Sequence, residues 1–286
     1  MAQATLGFIG LGVMGAPMCR NLARKSGARL LAFDLKAVPG FAIVGSIREA
    51  AQADVVFLSL PGEPEVRAVC SELLRQARPG QAIVDCSTAP VALARELAAA
   101  FAARGAQFAD APVARTRQAA IDGTLSITVG ADAALYRRIE PLLLCMASDV
   151  THCGAPGAGQ AVKLLNNLVL SMTVVALAEA LAVAKASGVV DPKLLFETLA
   201  KGSADSFALR SHGMKALLPE SHPERAFPVS YMLKDVAYAI ELARGAGLEL
   251  QGAGTAKRLL EETAAMGLGE AYHTALIEAV RRHRAG

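Results

Sequence analysis

The chain has 286 residues, 53% of them hydrophobic, and a net charge of +3 from 29 basic and 26 acidic side chains. That length allows about two domains with a sizeable buried core. Scattered charge argues against a nucleic-acid partner, and no run reaches the roughly 18 uninterrupted apolar residues of a membrane span. Five cysteines without a Cys-x-x-Cys pair argue against a disulfide framework or a zinc site.

Residues 1–5 lead straight into an apolar run with no basic segment ahead of it, so no signal peptide is expected and the setting reads as cytoplasmic. In chain order, residues 6–9, 30–33, 55–60 and 82–84 read as buried strands, each followed by a turn signal: Gly10, Asp34, Pro61-Gly62 and Asp85. Residues 107–109 and 126–129 read as two more. Helical patterns separate them, among them 91–104 after an expected cap at Ser87-Thr88. Strands alternating with helices predict parallel βαβ units. After about residue 155, alanine- and leucine-rich helical patterns take over at 161–187, 193–199, 232–245 and 254–265, with Pro156-Gly157-Ala158-Gly159 at the change. Residues 164–184 are broken by Asn166, Asn167, Ser171, Thr173 and Glu179, and read as a core helix. The C-terminal Arg281-Arg282-His283-Arg284 reads as a solvated helix end.

Gly10-Leu11-Gly12-Val13-Met14-Gly15 fits G-x-G-x-x-G directly after a strand and at the start of a helix. The first glycine allows a tight turn, the second lets backbone approach a pyrophosphate, and the third lets helix and strand pack closely. The helix N-terminus then favours the anion. An acidic residue is expected about 20 residues on to bind ribose hydroxyls, and Asp34 stands there. A plain glycine turn capped by Asp34 is the alternative. Asp34 repels a 2′-phosphate, which favours NAD over NADP, and Lys36 softens that preference. The expected architecture is α/β: a Rossmann dinucleotide-binding domain over 1–158, joined by a long interdomain helix to an all-α domain over 159–286.

From Gly7 to Met18, and again at Asp110-Ala111-Pro112-Val113, at 157–167 and at Lys234-Asp235, the chain resembles the β-hydroxyacid dehydrogenases, which include 3-hydroxyisobutyrate dehydrogenase and tartronate semialdehyde reductase. The resemblance covers almost the whole chain. It implies hydride transfer between NAD and a small anionic 3-hydroxy acid or the matching semialdehyde, in a homodimer or homotetramer. It places Leu60 and Pro61 on the adenosine side of the cofactor and Ser87 or Thr88 near the nicotinamide. Lys234 and Asp235 match the late cofactor and substrate motif.

Lys163 and Asn167, four apart on one helix face, are by the same resemblance the catalytic pair. Hydride transfer from an alcohol needs one proton removed from oxygen. A lysine can take it if burial lowers its pKa from about 10.4, and Asn167 can hold substrate or lysine without adding charge. An exposed lysine beside a helix-face asparagine is the alternative. His152 reads as structural, and His212, His222 and His273 show no metal-ligand spacing.

Two departures from the family stand out. The usual Ser-Gly-Gly after Asp-Ala-Pro-Val is replaced by Ala114-Arg115-Thr116. Arg115 offers a bidentate fork for an anionic group, similar to the Arg-Thr of the sulfolactaldehyde reductase branch, where the arginine contacts the sulfonate. Arg115 pointing to solvent or to cofactor phosphates is the alternative. The second departure is at 35–45, where Pro39 and Gly40 break the helix that relatives carry. Two rival functions remain in view: a non-catalytic NAD-binding protein and an imine reductase. The presence of Lys163 and Asn167 tells against the first, and Lys163 against the second.

Overall fold

The computed structural model describes residues 5–224 and 226–283; residues 1–4, on which the expected absence of a signal peptide partly rests, and Arg284 lie outside the described residues. The chain divides into two compact units, Met1–Lys163 and Leu164–Gly286.

The first unit is built on an eight-stranded sheet. Its strands are β1 (Thr5–Ile9), β2 (Arg29–Phe33), β3 (Val55–Leu58), β4 (Ala82–Asp85), β5 (Gln107–Asp110), β6 (Val113–Ala114), β7 (Leu125–Gly130) and β8 (Ala147–Gly154). Their order is β2-β1-β3-β4-β5-β7-β6, with β8 paired to β7. The first five run parallel. The order reverses at β1, whose neighbours are β2 and β3, and that switch point is where open α/β sheets bind ligands.

Helices α1 (Gly15–Ser26), α2 (Ile47–Ala50), α3 (Glu63–Leu74), α4 (Val91–Ala102), α5 (Arg117–Asp122) and α6 (Ala133–Leu143) connect the strands. The inner strands are apolar on both faces because both faces are covered. Phe8, Phe57 and Val84 pack with Met18 and Leu22 of α1 and Ile139 of α6. Val56, Leu58, Ile83 and Phe108 pack with Val66 and Leu73 of α3 and Leu93 and Phe101 of α4.

Several local expectations are corrected. Ser87 and Thr88 do not cap α4: Pro90 holds the cap position, without a side-chain bond. Strands β6 and β8 go beyond the runs read from the sequence. β6 has only two residues, and β8 is largely polar and exposed, so neither shows an apolar run. No helix forms over 35–45; instead Val44 N–H donates to Ala32 O at 2.8 Å and Ile43 bridges to Ala32. Ser46 then caps the short α2 by accepting from Glu49 N–H at 3.2 Å.

The second unit is helical: α7 (Ala158–Ser187) beyond Lys163, then α8 (Pro192–Leu199), α9 (Val229–Gly245), α10 (Gln251–Thr263) and α11 (Ile277–Arg282). The unit boundary thus falls inside α7, five residues beyond the expected 158/159 division. Leu209–Leu217 forms a π-helix that the sequence did not announce, since its period differs from the 3.6-residue apolar repeat. By length and composition α7 is apolar enough to cross a bilayer, and half of that stretch is buried within the protein.

Candidate active site

In the first unit the expected cofactor residues lie at the C-terminal ends of the parallel strands. Gly10, φ 95°, begins the turn after β1, and its N–H donates to Phe33 O at 2.9 Å. A side chain at Gly10 would collide with Ser59 O, and one at Gly15 with Gly10 O, so the tight turn itself requires both glycines. Gly12 is different: nothing lies within 4 Å of where its Cβ would stand, and Gly12 and Val13 are exposed. No side chain covers the backbone there, at the N-terminus of α1, where the helix dipole favours an anion. That cradle fits a dinucleotide pyrophosphate.

Asp34 closes the turn. Its carboxylate accepts from Leu11 N–H at 2.6 Å and from Lys36 N–H at 3.1 Å, which fixes it beside the glycine loop. Leu60 and Pro61 follow β3, and Ser87 and Thr88 follow β4. Ser87 Oγ accepts from Leu60 N–H at 2.9 Å, while Ser87 N–H donates to Asp85 at 2.9 Å. The loops expected on the adenosine and nicotinamide sides are therefore tied to each other.

Asp110, at the end of β5, is fully buried and accepts from Gly157 N–H at 2.6 Å and Gln160 N–H at 2.8 Å. A carboxylate at a helix N-terminus satisfies orphan donors and complements the helix dipole. Burial still pushes the Asp110 carboxyl above its usual range. Lys163 stands on the second turn of this helix, partly buried.

In the second unit Asn167 is buried and donates to Asp235 at 2.7 Å across 68 residues of sequence; Asn166 donates to Asn167 Oδ1 at 3.1 Å. Lys234 Nζ lies 3.7 Å from Asp235 and 5.2 and 5.9 Å from the rings of Tyr231 and Tyr238. The structure thus brings Asn167, Lys234 and Asp235 together. Among the described residues, no group of three or more His, Cys, Asp or Glu side chains is placed to hold a metal.

Ala114 pairs with Ser126 at the end of β6. Arg115 has φ 83°, in the left-handed region that favours glycine. Its Nη1 donates to Thr124 O at 2.7 Å and Ser148 Oγ at 2.9 Å, so the guanidinium is tethered to the ends of β7 and β8. Thr116 Oγ1 caps α5 by accepting from Ala119 N–H at 3.3 Å.

Residues 5–154 match the family model for the NAD binding domain of 6-phosphogluconate dehydrogenase. Residues 157–280 match the model for the NAD-binding domain of NADP-dependent 3-hydroxyisobutyrate dehydrogenase. The chain belongs to the β-hydroxyacid dehydrogenase family. It is 34% identical to 2-(hydroxymethyl)glutarate dehydrogenase of Eubacterium barkeri, over 96% of this chain and 93% of that protein. It is 36% identical to the NAD-dependent L-serine dehydrogenase of Pseudomonas aeruginosa, over 84% and 85%. A solved structure of Mycobacterium tuberculosis 3-hydroxyisobutyrate dehydrogenase with L-serine superposes with a TM-score of 0.88 at 32% identity, covering 98% of this chain and 99% of that one.

In this β-hydroxyacid dehydrogenase the cofactor is NAD. Sequence reasoning did not single out Asp85, Asp110 or Gln160 as site residues. The available signal was an acidic residue recurring at strand ends: Asp34, Asp85 and Asp110 each accept a backbone N–H of a functional loop.

Proposed function

We propose that the protein oxidises the primary hydroxyl of a small 3-hydroxy acid to the semialdehyde, or runs the reverse, with Lys163 as general acid/base. Bound NAD supplies the hydride acceptor. Lys163, as the neutral amine, takes the hydroxyl proton as the C–H bond breaks, and returns it in the reverse direction. Asn167, its amide fixed by Asp235, holds the substrate oxygen without adding charge. Lys234 provides a positive charge for the substrate carboxylate, and with Asp235 also borders the cofactor. Ala114, Arg115 and Thr116 form the substrate turn, with the Arg115 guanidinium as its tether.

The observation that carries this reading is the fixed first turn of α7: two backbone bonds to Asp110 set the helix that presents Lys163. Proton transfer by a positioned side chain is worth about 10²–10⁴-fold. Asp34 supports NAD over NADP, because both its carboxylate oxygens are committed beside the glycine loop. The exposed Leu165, Val169, Met172 and Val183 of α7 favour self-association as a homodimer or homotetramer. Five free thiols suit a reducing cytoplasm.

A second reading, reduction of a sulfonated or otherwise strongly anionic aldehyde, rests on the charge of Arg115. Its tether to Thr124 and Ser148 makes it the weaker of the two. The test is steady-state turnover with NAD on 3-hydroxyisobutyrate, L-serine, glycerate and sulfonated analogues. The 3-hydroxy carboxylates should react best. A clear preference for sulfonates selects the second reading, and NAD binding without turnover of any of them leaves a cofactor-binding protein.

A further inference from the structure

Gln160 is fully buried, and both ends of its amide are used. Oε1 accepts from Ala89 N–H at 3.2 Å, and Nε2 donates to Ser87 O at 2.7 Å. These two backbone groups flank Thr88, in the loop after β4 that also receives Leu60 N–H through Ser87 Oγ. The backbone N–H of Gln160 meanwhile donates to Asp110. One turn further along the same helix stands Lys163, at the i+3 position that shares a face with residue 160. Thr128 Oγ1 adds a bond to Gly159 O at 3.0 Å.

We infer that Gln160 is a positioning residue that couples the cofactor loop 87–89 to the helix turn carrying Lys163, so that occupancy of the loop sets where the lysine stands. This rests on the reading of Lys163 as the proton carrier. The geometry goes beyond packing, because an apolar side chain of similar size fills the same space yet satisfies neither Ala89 N–H nor Ser87 O. A primary amide is the side chain that offers one acceptor and one donor side by side without charge. Proton and hydride transfer need reacting atoms about 3–3.5 Å apart, and a misplacement of about 1 Å costs on the order of 10²-fold.

The experiment compares wild type, Gln160→Leu, Gln160→Glu and Lys163→Ala as full-length proteins. Amide hydrogen exchange is followed with and without NAD, and turnover with the best substrate of the panel above. In wild type, NAD should slow exchange in residues 87–89 and also in 157–163. In Gln160→Leu, protection should stop at the loop, and kcat should fall about 10²-fold with KM for NAD unchanged. Gln160→Glu supplies a second route. Its buried carboxyl, near Asp85 and Asp110, titrates upward, and only its neutral form both donates and accepts as the amide does. Its activity relative to wild type should therefore rise as pH falls. A folded Gln160→Leu with wild-type kcat and NAD-induced protection of 157–163 overturns the inference. If Gln160→Leu does not fold, a pH-independent activity ratio for Gln160→Glu does the same. An active Lys163→Ala overturns the proton-carrier reading alone and leaves the exchange coupling standing.

Discussion

The two units differ in how often their polar side chains bind one another. In Met1–Lys163 the buried or closing side chains bind backbone: Asp34 holds Leu11 N–H, Asp110 holds Gly157 and Gln160 N–H, and Gln160 holds Ala89 N–H and Ser87 O. In Leu164–Gly286 several bind one another: Asn167 to Asp235, His212 to the Tyr272 hydroxyl at 2.6 Å, His222 to Thr274 Oγ1 at 2.8 Å, while His273 and Thr263 bind backbone oxygens. A backbone partner cannot change its protonation state or be mutated away, whereas a side-chain partner can do both. The first unit is therefore built to keep geometry constant, and the second depends on the charge state of its residues.

The largest expected effect tests the constancy of the first unit. Lys163→Ala removes the proposed proton carrier but neither of the Asp110 bonds that fix the first turn of α7. Turnover should fall about 10²–10⁴-fold while NAD affinity and melting temperature stay near wild type. Cofactor titration beside steady-state kinetics decides this; a loss of NAD binding in parallel with turnover shows that Lys163 is part of the frame.

Acid should separate the units. Burial lowers His212 to about 4 and His273 to about 3, and it lowers His222 as well; Lys215 adds to the effect on His212. These rings are neutral in the fold, so the unfolded chain, with histidine near 6.5, binds protons first as pH falls. Their contribution is intact above about 6.5 and is lost progressively toward about 4 for His212 and about 3 for His273. Asp110 has the opposite sign: with its carboxyl raised, the folded chain takes that proton first, so acid does not weaken the first unit through it. Each of His212 and His273 should cost the second unit on the order of 3 kcal/mol by about pH 4. Exchange protection measured from pH 7 to 4 reads both units at once, and earlier loss in β1 to β5 breaks the comparison.

Asp34→Ala reaches a smaller effect, because Leu11 N–H can turn to water at this partly exposed edge. NAD should lose about 1.5–3 kcal/mol of binding, the range for hydrogen bonds to a charged group. NADP should lose less, so the ratio of their kcat/KM values should move toward NADP. An unchanged ratio shows that Asp34 only closes the turn.

The same contrast explains what was legible in the sequence. The glycine loop and Asp34 could be read because local spacing encodes backbone geometry, and the inner strands because both their faces are apolar. β8 carries its polar residues in adjacent pairs, Ser148-Asp149 and Thr151-His152, and so showed neither an apolar run nor an alternation. The bonds Gln160–Ser87, Asn167–Asp235 and His212–Tyr272 join residues 73, 68 and 60 apart. Nothing local marks such a pair, since it exists only once the fold has set its elements side by side. Gln160 was visible as a letter of the motif, and its partners were not.

The smallest expected effect concerns Arg115, whose charged side chain tethers an exposed turn of the first unit. Arg115 holds φ 83°, in the region that favours glycine, and a left-handed conformation costs a non-glycine residue about 1 kcal/mol. Its Nη1 bonds to Thr124 O and Ser148 Oγ are exposed, worth at most about 0.5–1.5 kcal/mol each. Arg115→Gly relieves the strain and loses the tether, so stability should change by less than about 1 kcal/mol. If the turn serves through its backbone, kcat/KM for 3-hydroxy carboxylates should also stay close to wild type. Arg115→Met separates the two contributions, since it keeps the strain, drops the charge and should be the less stable of the pair. A fall of 2–5 kcal/mol in transition-state binding for anionic substrates in both variants, with neutral alcohols unaffected, means that the guanidinium contacts the head group. The charge then selects the substrate, and the sulfonate reading replaces the carboxylate one where sulfonates lose more than carboxylates.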